Sequence, residues 1–151
     1  MIQKCSFCDP LPKDILKTGT WARIIIPERL HVPPEDGGHL IVSPMRHVQN
    51  RIMLSESEAT EIWRFSIISA KLLNLLLSVD WYNFQENGNW AADNPQKCHM
   101  HLHIYGRSAD SKNQPFGEAL KLPLRSEIEN WDFGKYTEGM KNKLRKEAKN
   151  F

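Results

Sequence analysis

The sequence predicts an α+β fold: an antiparallel sheet of about five strands, one long helix, and a C-terminal helix. Three observations predict it. Runs of β-forming residues stop at proline or turn residues, as Trp21-Ala22-Arg23-Ile24-Ile25-Ile26 does at Pro27. A single capped segment opening at Ser55 is long enough for a major helix. The strand candidates are joined by loops rather than helical crossovers, which is how antiparallel neighbours connect.

Each element follows in order. Cys5-Ser6-Phe7-Cys8-Asp9-Pro10 reads as a knuckle, and the chain to residue 19 as a loop. Trp21 to Ile26 is the first strand. His31 to Gly38, with Pro33, Pro34, Gly37 and Gly38, is a loop. His39-Leu40-Ile41-Val42 is a short buried strand ended by Ser43-Pro44. Ser55-Glu56-Ser57-Glu58 is a capping box, the serine accepting from the backbone while the glutamate reaches back. The helix it opens runs through about Leu77, with apolar positions Ala59, Ile62, Ile67, Ala70, Leu73 and Leu77. A strand at Trp81-Tyr82-Asn83-Phe84-Gln85 precedes a polar loop from Asn87 to Lys97 and then a histidine-rich strand. After Arg107 the chain turns irregular, and Thr137 to Lys149 is a final helix. Repeats and low-complexity stretches are absent.

Composition sets the class. A chain of 151 residues is about one domain and can bury a full core. Hydrophobic residues at 40% and charged ones at 25% are ordinary for a soluble globular protein. The longest apolar stretch, Ile67 to Val79, is broken by Ser69, Lys71, Asn74 and Ser78, so no membrane span is expected. Met1-Ile2-Gln3-Lys4-Cys5 lacks the apolar core of a signal peptide. Three cysteines, two of them spaced Cys-x-x-Cys, point to metal or redox use in a reducing compartment, with the cytosol as the expected location. Charge is uneven: residues 135–151 carry +4 and the rest −2. Such a basic helical tail is either a solvated helix or a contact for nucleic acid.

The most informative run is Cys98-His99-Met100-His101-Leu102-His103-Ile104. In a strand, His99, His101 and His103 share one face while Met100, Leu102 and Ile104 face a core. Imidazoles two residues apart sit roughly 7 Å from one another. Packing alone does not call for three in a row, since each buried ring needs its own partners. A zinc cluster on the strand and histidine chemistry on a substrate both remain open at this point. Cys98, facing opposite to His99, reads as an ordinary core thiol.

His99-Met100-His101-Leu102-His103 followed by Ile104-Tyr105 resembles the signature of the histidine triad family. Gly38-His39-Leu40-Ile41-Val42-Ser43-Pro44-Met45-Arg46-His47 is similar to that family's strand and turn, and Cys5-Ser6-Phe7-Cys8 to the C-x-F-C opening of its bacterial-type, zinc-containing members. The resemblance covers roughly Cys5 to Arg107. It implies a histidine-triad-like domain at 1–107, extended by 108–151 with its basic helix, and a homodimer.

The resemblance further implies cleavage of nucleoside monophosphate–X substrates (phosphoramidates or dinucleoside polyphosphates) through a nucleotidyl-histidine intermediate. His101 would be the nucleophile, with His103 at the phosphate and His39 supporting one or the other. Neutral imidazole is a competent nucleophile at neutral pH, and its neighbours can donate to phosphoryl oxygens, so the chemistry agrees. Cys5, Cys8, His47 and His99 would hold a structural Zn2+, four N/S ligands suiting a closed tetrahedral site. Asn87, Gln96 and Arg107 are the candidate substrate contacts. The chain departs from the family pattern in three places. His31 stands eight residues before His39, where many members carry a ribose-binding aspartate, which leaves Glu35 or Asp36 as the available acids. Asn94-Pro95-Gln96 replaces a Gly-Gln pair, and Tyr105-Gly106-Arg107 replaces a Pro-Arg ending. The alternative is a non-catalytic, zinc-stabilised nucleotide- or RNA-binding module using the basic tail.

Overall fold

The computed structural model describes residues 5–88, 94, 98–124 and 126–151. Its strands are β1 (Ile15–Thr18), β2 (Ala22–Ile25), β3 (His39–Pro44), β4 (Trp81–Gln85) and β5 (Leu102–Arg107); its α-helices are α1 (Glu56–Leu77) and α2 (Glu138–Ala148). The sheet runs β1-β2-β3-β5-β4, every neighbouring pair antiparallel. This is the expected α+β architecture.

The register between β3 and β5 sorts the sheet into two faces. Leu40 opposes Ile104 and Val42 opposes Leu102 on one face. His39 opposes Tyr105 and Ile41 opposes His103 on the other. The first set packs with Ile24, Phe65, Leu72 and Leu73 in the core beneath α1, all fully or nearly fully buried. Alternation along two adjacent strands thus separates a hydrophobic face from a histidine-bearing one.

Helix α1 starts at the predicted capping box: Ser55 Oγ accepts from the Glu58 amide at 3.3 Å and the Glu58 carboxylate accepts from the Ser55 amide at 2.8 Å. Its buried stripe is Ile62, Phe65, Ile68, Leu72 and Leu73. Ile67, expected among the apolar core positions, is exposed instead, as is Ala59. Ile67 lies five residues beyond Ile62, about 140° around the helix, and so falls off the stripe. Strand β1 lies where a loop is expected. Four residues at the sheet edge with a bulge between Ile15 and Lys17 carry no alternation to read. The C-terminal helix matches the expected range, with Thr137 Oγ1 accepting from the Met140 amide at 3.2 Å.

The chain beyond β5 is tied back to the sheet through residues 114–118, 134 and 136. Buried Arg107 donates to the carbonyls of Gln114, Pro115 and Glu118, and Leu30 and Gly134 exchange backbone hydrogen bonds. The Tyr136 hydroxyl accepts from the His39 amide at 2.8 Å and donates to its carbonyl at 3.1 Å. Gly37, at φ +131°, packs backbone to backbone with Gly106, and a Cβ on either would collide with the other's carbonyl. That contact lays the 31–38 loop across β5. No described helix is long and apolar enough to cross a membrane.

Candidate functional site

Two groups of side chains meet where the β5 segment enters the sheet. The first contains Cys5, Cys8, His47 and His99, whose ligand atoms all lie within 4.8 Å of one another. The two cysteines are presented by a tight turn in which the Cys8 amide donates to the Cys5 carbonyl at 3.1 Å. Cys5 Sγ and Cys8 Sγ each stand 3.4 Å from His99 Nδ1, and Cys8 Sγ stands 3.3 Å from His47 Nδ1. His99 Nε2 donates to the Pro44 carbonyl at 3.2 Å, which leaves the Nδ1 lone pair facing the sulfurs. Burial lowers the His99 pKa to about 4, so the ring is neutral at pH 7, as a ligand must be. His47 follows Arg46, which donates to both carboxylate oxygens of Glu58 at 3.0 and 2.9 Å. The capping box of α1 therefore also fixes the turn that carries His47.

The second group is His39, His101 and His103, with His31 beside them. His101 Nδ1 lies 2.8 Å from the His99 carbonyl. A carbonyl only accepts, so Nδ1 carries the proton and Nε2 keeps its lone pair. On the neighbouring strand the His31 amide donates to His39 Nδ1 at 3.4 Å, so His39 carries its proton on Nε2. That nitrogen donates to His103 Nδ1 at 2.8 Å, which puts the His103 proton on Nε2. The backbone thus dictates an ordered pair: an unprotonated nitrogen on His101 and an N–H on His103. Their rings meet edge to face, centroids 4.6 Å apart.

Burial keeps this row neutral. It pushes His39 well below the ordinary histidine range, with smaller contributions from His103, His31 and His101. His103 falls to about 2 and His31 to about 4, burial being the main cause in each. His101 is lowered too, burial again dominating.

Sequence reasoning did not single out Phe7, Tyr105 or Tyr136. Phe7 stacks on His101 with ring centroids 4.2 Å apart. The Tyr105 hydroxyl lies 2.9 Å from His31 Nδ1, and Tyr136 brackets the His39 backbone. Phe7 was legible as the middle of the Cys-x-x-Cys turn, and Tyr105 as the next same-face residue after His103. Nothing local marks Tyr136.

The expected substrate contacts are scattered. Asn87 lies beside the Tyr105 hydroxyl, close enough to favour its ionised form, and so reaches the histidine row. Gln96 lies outside the described residues. Arg107 is 6% exposed and bound to Asn83 and three carbonyls, at the far end of β5 from His101. Asp36 is buried and accepts from Ser111 and Asn113. Glu35 borders a cavity of about 440 Å³ together with His31, Lys112, Lys121 and Trp131. Cys98 is half-buried rather than a core thiol, its S–H directed at the Gln49 carbonyl 3.2 Å away.

No protein-family model and no curated protein matches the sequence. Solved structures do. A zinc-bound histidine triad family protein from Mycobacterium smegmatis superposes with a TM-score of 0.64 at 20% identity, covering 97% of this chain and 94% of the other. A hypothetical histidine triad nucleotide-binding protein from Sulfolobus tokodaii gives 0.64 at 15% identity, over 97% and 93%. Plasmodium falciparum diadenosine triphosphate hydrolase gives 0.61 at 12% identity, over 93% and 77%. The chain therefore has the histidine triad fold.

Proposed function

We propose that the protein is a histidine triad nucleotidyl hydrolase or transferase acting on nucleoside monophosphate–X substrates, with X an amine or a phosphate chain. The observation that carries this reading is the tautomer order set by the backbone: a free lone pair at His101 Nε2 beside an N–H at His103 Nε2. His101 Nε2 attacks phosphorus, forming a P–N bond as the P–X bond breaks and X departs with a proton taken from solvent, which the water of the second step returns. Water then breaks the P–N bond and releases the nucleotide. His103 donates to a phosphoryl oxygen and stabilises the charge that develops there. His39 holds His103 in the donating tautomer. Asn87 and Gln96 are the proposed substrate contacts, while the bonds of Arg107 favour a role in anchoring 114–118.

Zn2+ is the proposed occupant of Cys5, Cys8, His47 and His99, since two sulfurs and two nitrogens form the donor set of a closed structural site. Bound there, it ties the N-terminal turn to the segment that carries His101. A homodimer and a reducing compartment such as the cytosol complete the reading.

The test is rapid-quench mass spectrometry of the intact protein mixed with an adenosine phosphoramidate. Wild type is expected to gain one nucleotidyl mass transiently, and His101→Ala to gain none. Binding without adduct or product would sink the enzymatic reading and favour a nucleotide- or RNA-binding module, with residues 135–151 supplying charge. His31, an imidazole eight residues before His39 in place of a carboxylate, is what favours that second reading.

A further inference from the structure

His31 is not needed by the proposed chemistry, yet its side chain is built into the histidine row. Its ring centroid lies 5.1 Å from that of His39 and 5.4 Å from that of His103. One nitrogen from each of the three rings lies within 4.8 Å of those of the other two. Tyr105 orients His31 through the 2.9 Å contact at Nδ1, and Nε2 has no hydrogen-bond partner among the described residues. An oriented imidazole whose second nitrogen is free is the arrangement metal ligands adopt.

We propose that His31, His39 and His103 form a second metal site, separate from the cysteine-containing one, which takes a borderline divalent transition cation of the zinc, cobalt or nickel class and excludes nucleotidyl transfer while occupied. The donor set selects the cation. Three imidazoles suit these ions, whereas calcium and magnesium require oxygen ligands. All three rings are neutral at pH 7, so no proton need be displaced from a cationic ligand. Metal–nitrogen bonds of about 2.0–2.1 Å in tetrahedral geometry put ligand nitrogens roughly 3.3 Å apart. The rings reach this by closing from their present separations, while the 2.8 Å contact between His39 and His103 opens slightly. The proton on His39 Nε2 moves to Nδ1, giving up only the long bond from the His31 amide, and no net proton is lost. Three protein ligands leave a fourth position open.

Exclusion follows from the shared residues. A cation held by His39 and His103 replaces the hydrogen bond that orders His103, so the N–H offered to substrate is no longer positioned. This part rests on the proposed nucleotidyl transfer; the binding of metal does not.

Cobalt(II) tests both parts on the full chain. Equilibrium dialysis with metal analysis is expected to give two cobalt ions per wild-type chain. One shows the near-ultraviolet thiolate charge-transfer bands of the cysteine site, and the other only visible d–d bands. His31→Ala is expected to bind one ion and to keep the thiolate bands, which report that the variant is folded. Cys5→Ser/Cys8→Ser is expected to lose the thiolate bands alone. A single ion in wild type, or a second ion retained with unchanged affinity in His31→Ala, would overturn the site. With cobalt at about a hundred times its second dissociation constant, adduct formation in wild type is expected to fall roughly 100-fold, and in His31→Ala to be unaffected by the metal. Metal bound at the second site with undiminished adduct formation would overturn exclusion. If neither protein forms an adduct without metal, the catalytic reading fails, and the cobalt count still decides the site.

Discussion

The Phe7 ring lies nearly parallel to the His101 ring, 21° off, with centroids 4.2 Å apart. Phe7 sits between Cys5 and Cys8, and His101 Nδ1 is held by the carbonyl of His99, itself in the same four-residue group. The proposed metal site therefore grips His101, the proposed nucleophile, from its face and from its proton-bearing edge. Removing the Phe7 ring frees His101 to tilt, and misplacing a nucleophile by about 1 Å costs on the order of 100-fold. Phe7→Ala is expected to lower kcat by roughly 10- to 100-fold while zinc content stays at the wild-type value, and Phe7→Tyr to restore most of it. Equal kcat in Phe7→Ala and wild type would remove any positioning role for the ring.

Metal removal acts on the same connection. Two of the four ligands come from an N-terminal turn whose residues are exposed or half-buried, so little apolar packing replaces the metal there. At free zinc about a thousand times its dissociation constant, binding stabilises the fold by about 4 kcal/mol. A strong chelator is expected to lower Tm by several degrees and to abolish adduct formation, and re-added zinc to restore both. Cys8→Ser is expected to match the chelated protein and to be insensitive to chelator. An unchanged Tm on chelation would show that the four side chains hold no metal.

Stability should also depend on pH through the buried imidazoles. His31, His39 and His103 are neutral in the fold and titrate far below the ordinary value of 6.5, His31 at about 4 and His103 at about 2. The unfolded chain binds more protons than the folded one below pH 6.5, so stability is full above that value and declines as pH falls toward 4. The expected loss between pH 7.5 and 5 is on the order of 1–2 kcal/mol per ring. Urea midpoints at the two pH values measure it, and His31→Gln should flatten the dependence. A midpoint unchanged between pH 7.5 and 5 would mean that the rings are not buried as described.

Much of this was legible in the sequence because local rules governed it. The capping box at Ser55 and Glu58 began α1 where the helix begins, and the alternation from Met100 to Ile104 separated core from histidines. The four N/S side chains fell together because His99 stands two residues before His101 in the extended segment that leads into β5; the strand itself begins only at Leu102, later than the histidine pattern predicts. What was not legible depends on partners that no local pattern marks. β1 exists only through pairing with β2. Ile67 is apolar but off the buried stripe, and one helix turn cannot tell a core face from an interface. Arg107 retained its charge in the sequence reading, but its carbonyl partners lie in the irregular 114–118 stretch, where no pattern exists to read. Tyr136 reaches His39 from 97 residues away.

The exposed apolar residues give the final prediction. Strand β4 ends the sheet, and Phe84, in register with Ile104, projects on the helix side. There it lies 6.2 Å from Trp63 of α1, ring centroid to centroid, with Ile67 one turn further along the helix. Trp63 is 61% exposed, Ile67 43% and Phe84 41%. A strand edge with no pairing partner among the described residues, beside a contiguous apolar patch, marks an interaction surface, because isolated chains rarely leave both open to water. A second copy docking by a two-fold axis would pair the β4 edges and bury the Trp63 rings together. The protein is expected to run as a dimer in sedimentation analysis. Because central aromatic anchors each contribute about 2 kcal/mol or more, Trp63→Arg/Phe84→Lys is expected to weaken association by at least a hundredfold while leaving helix content unchanged. If the wild type sediments as a monomer at micromolar concentration, the patch does not serve self-association.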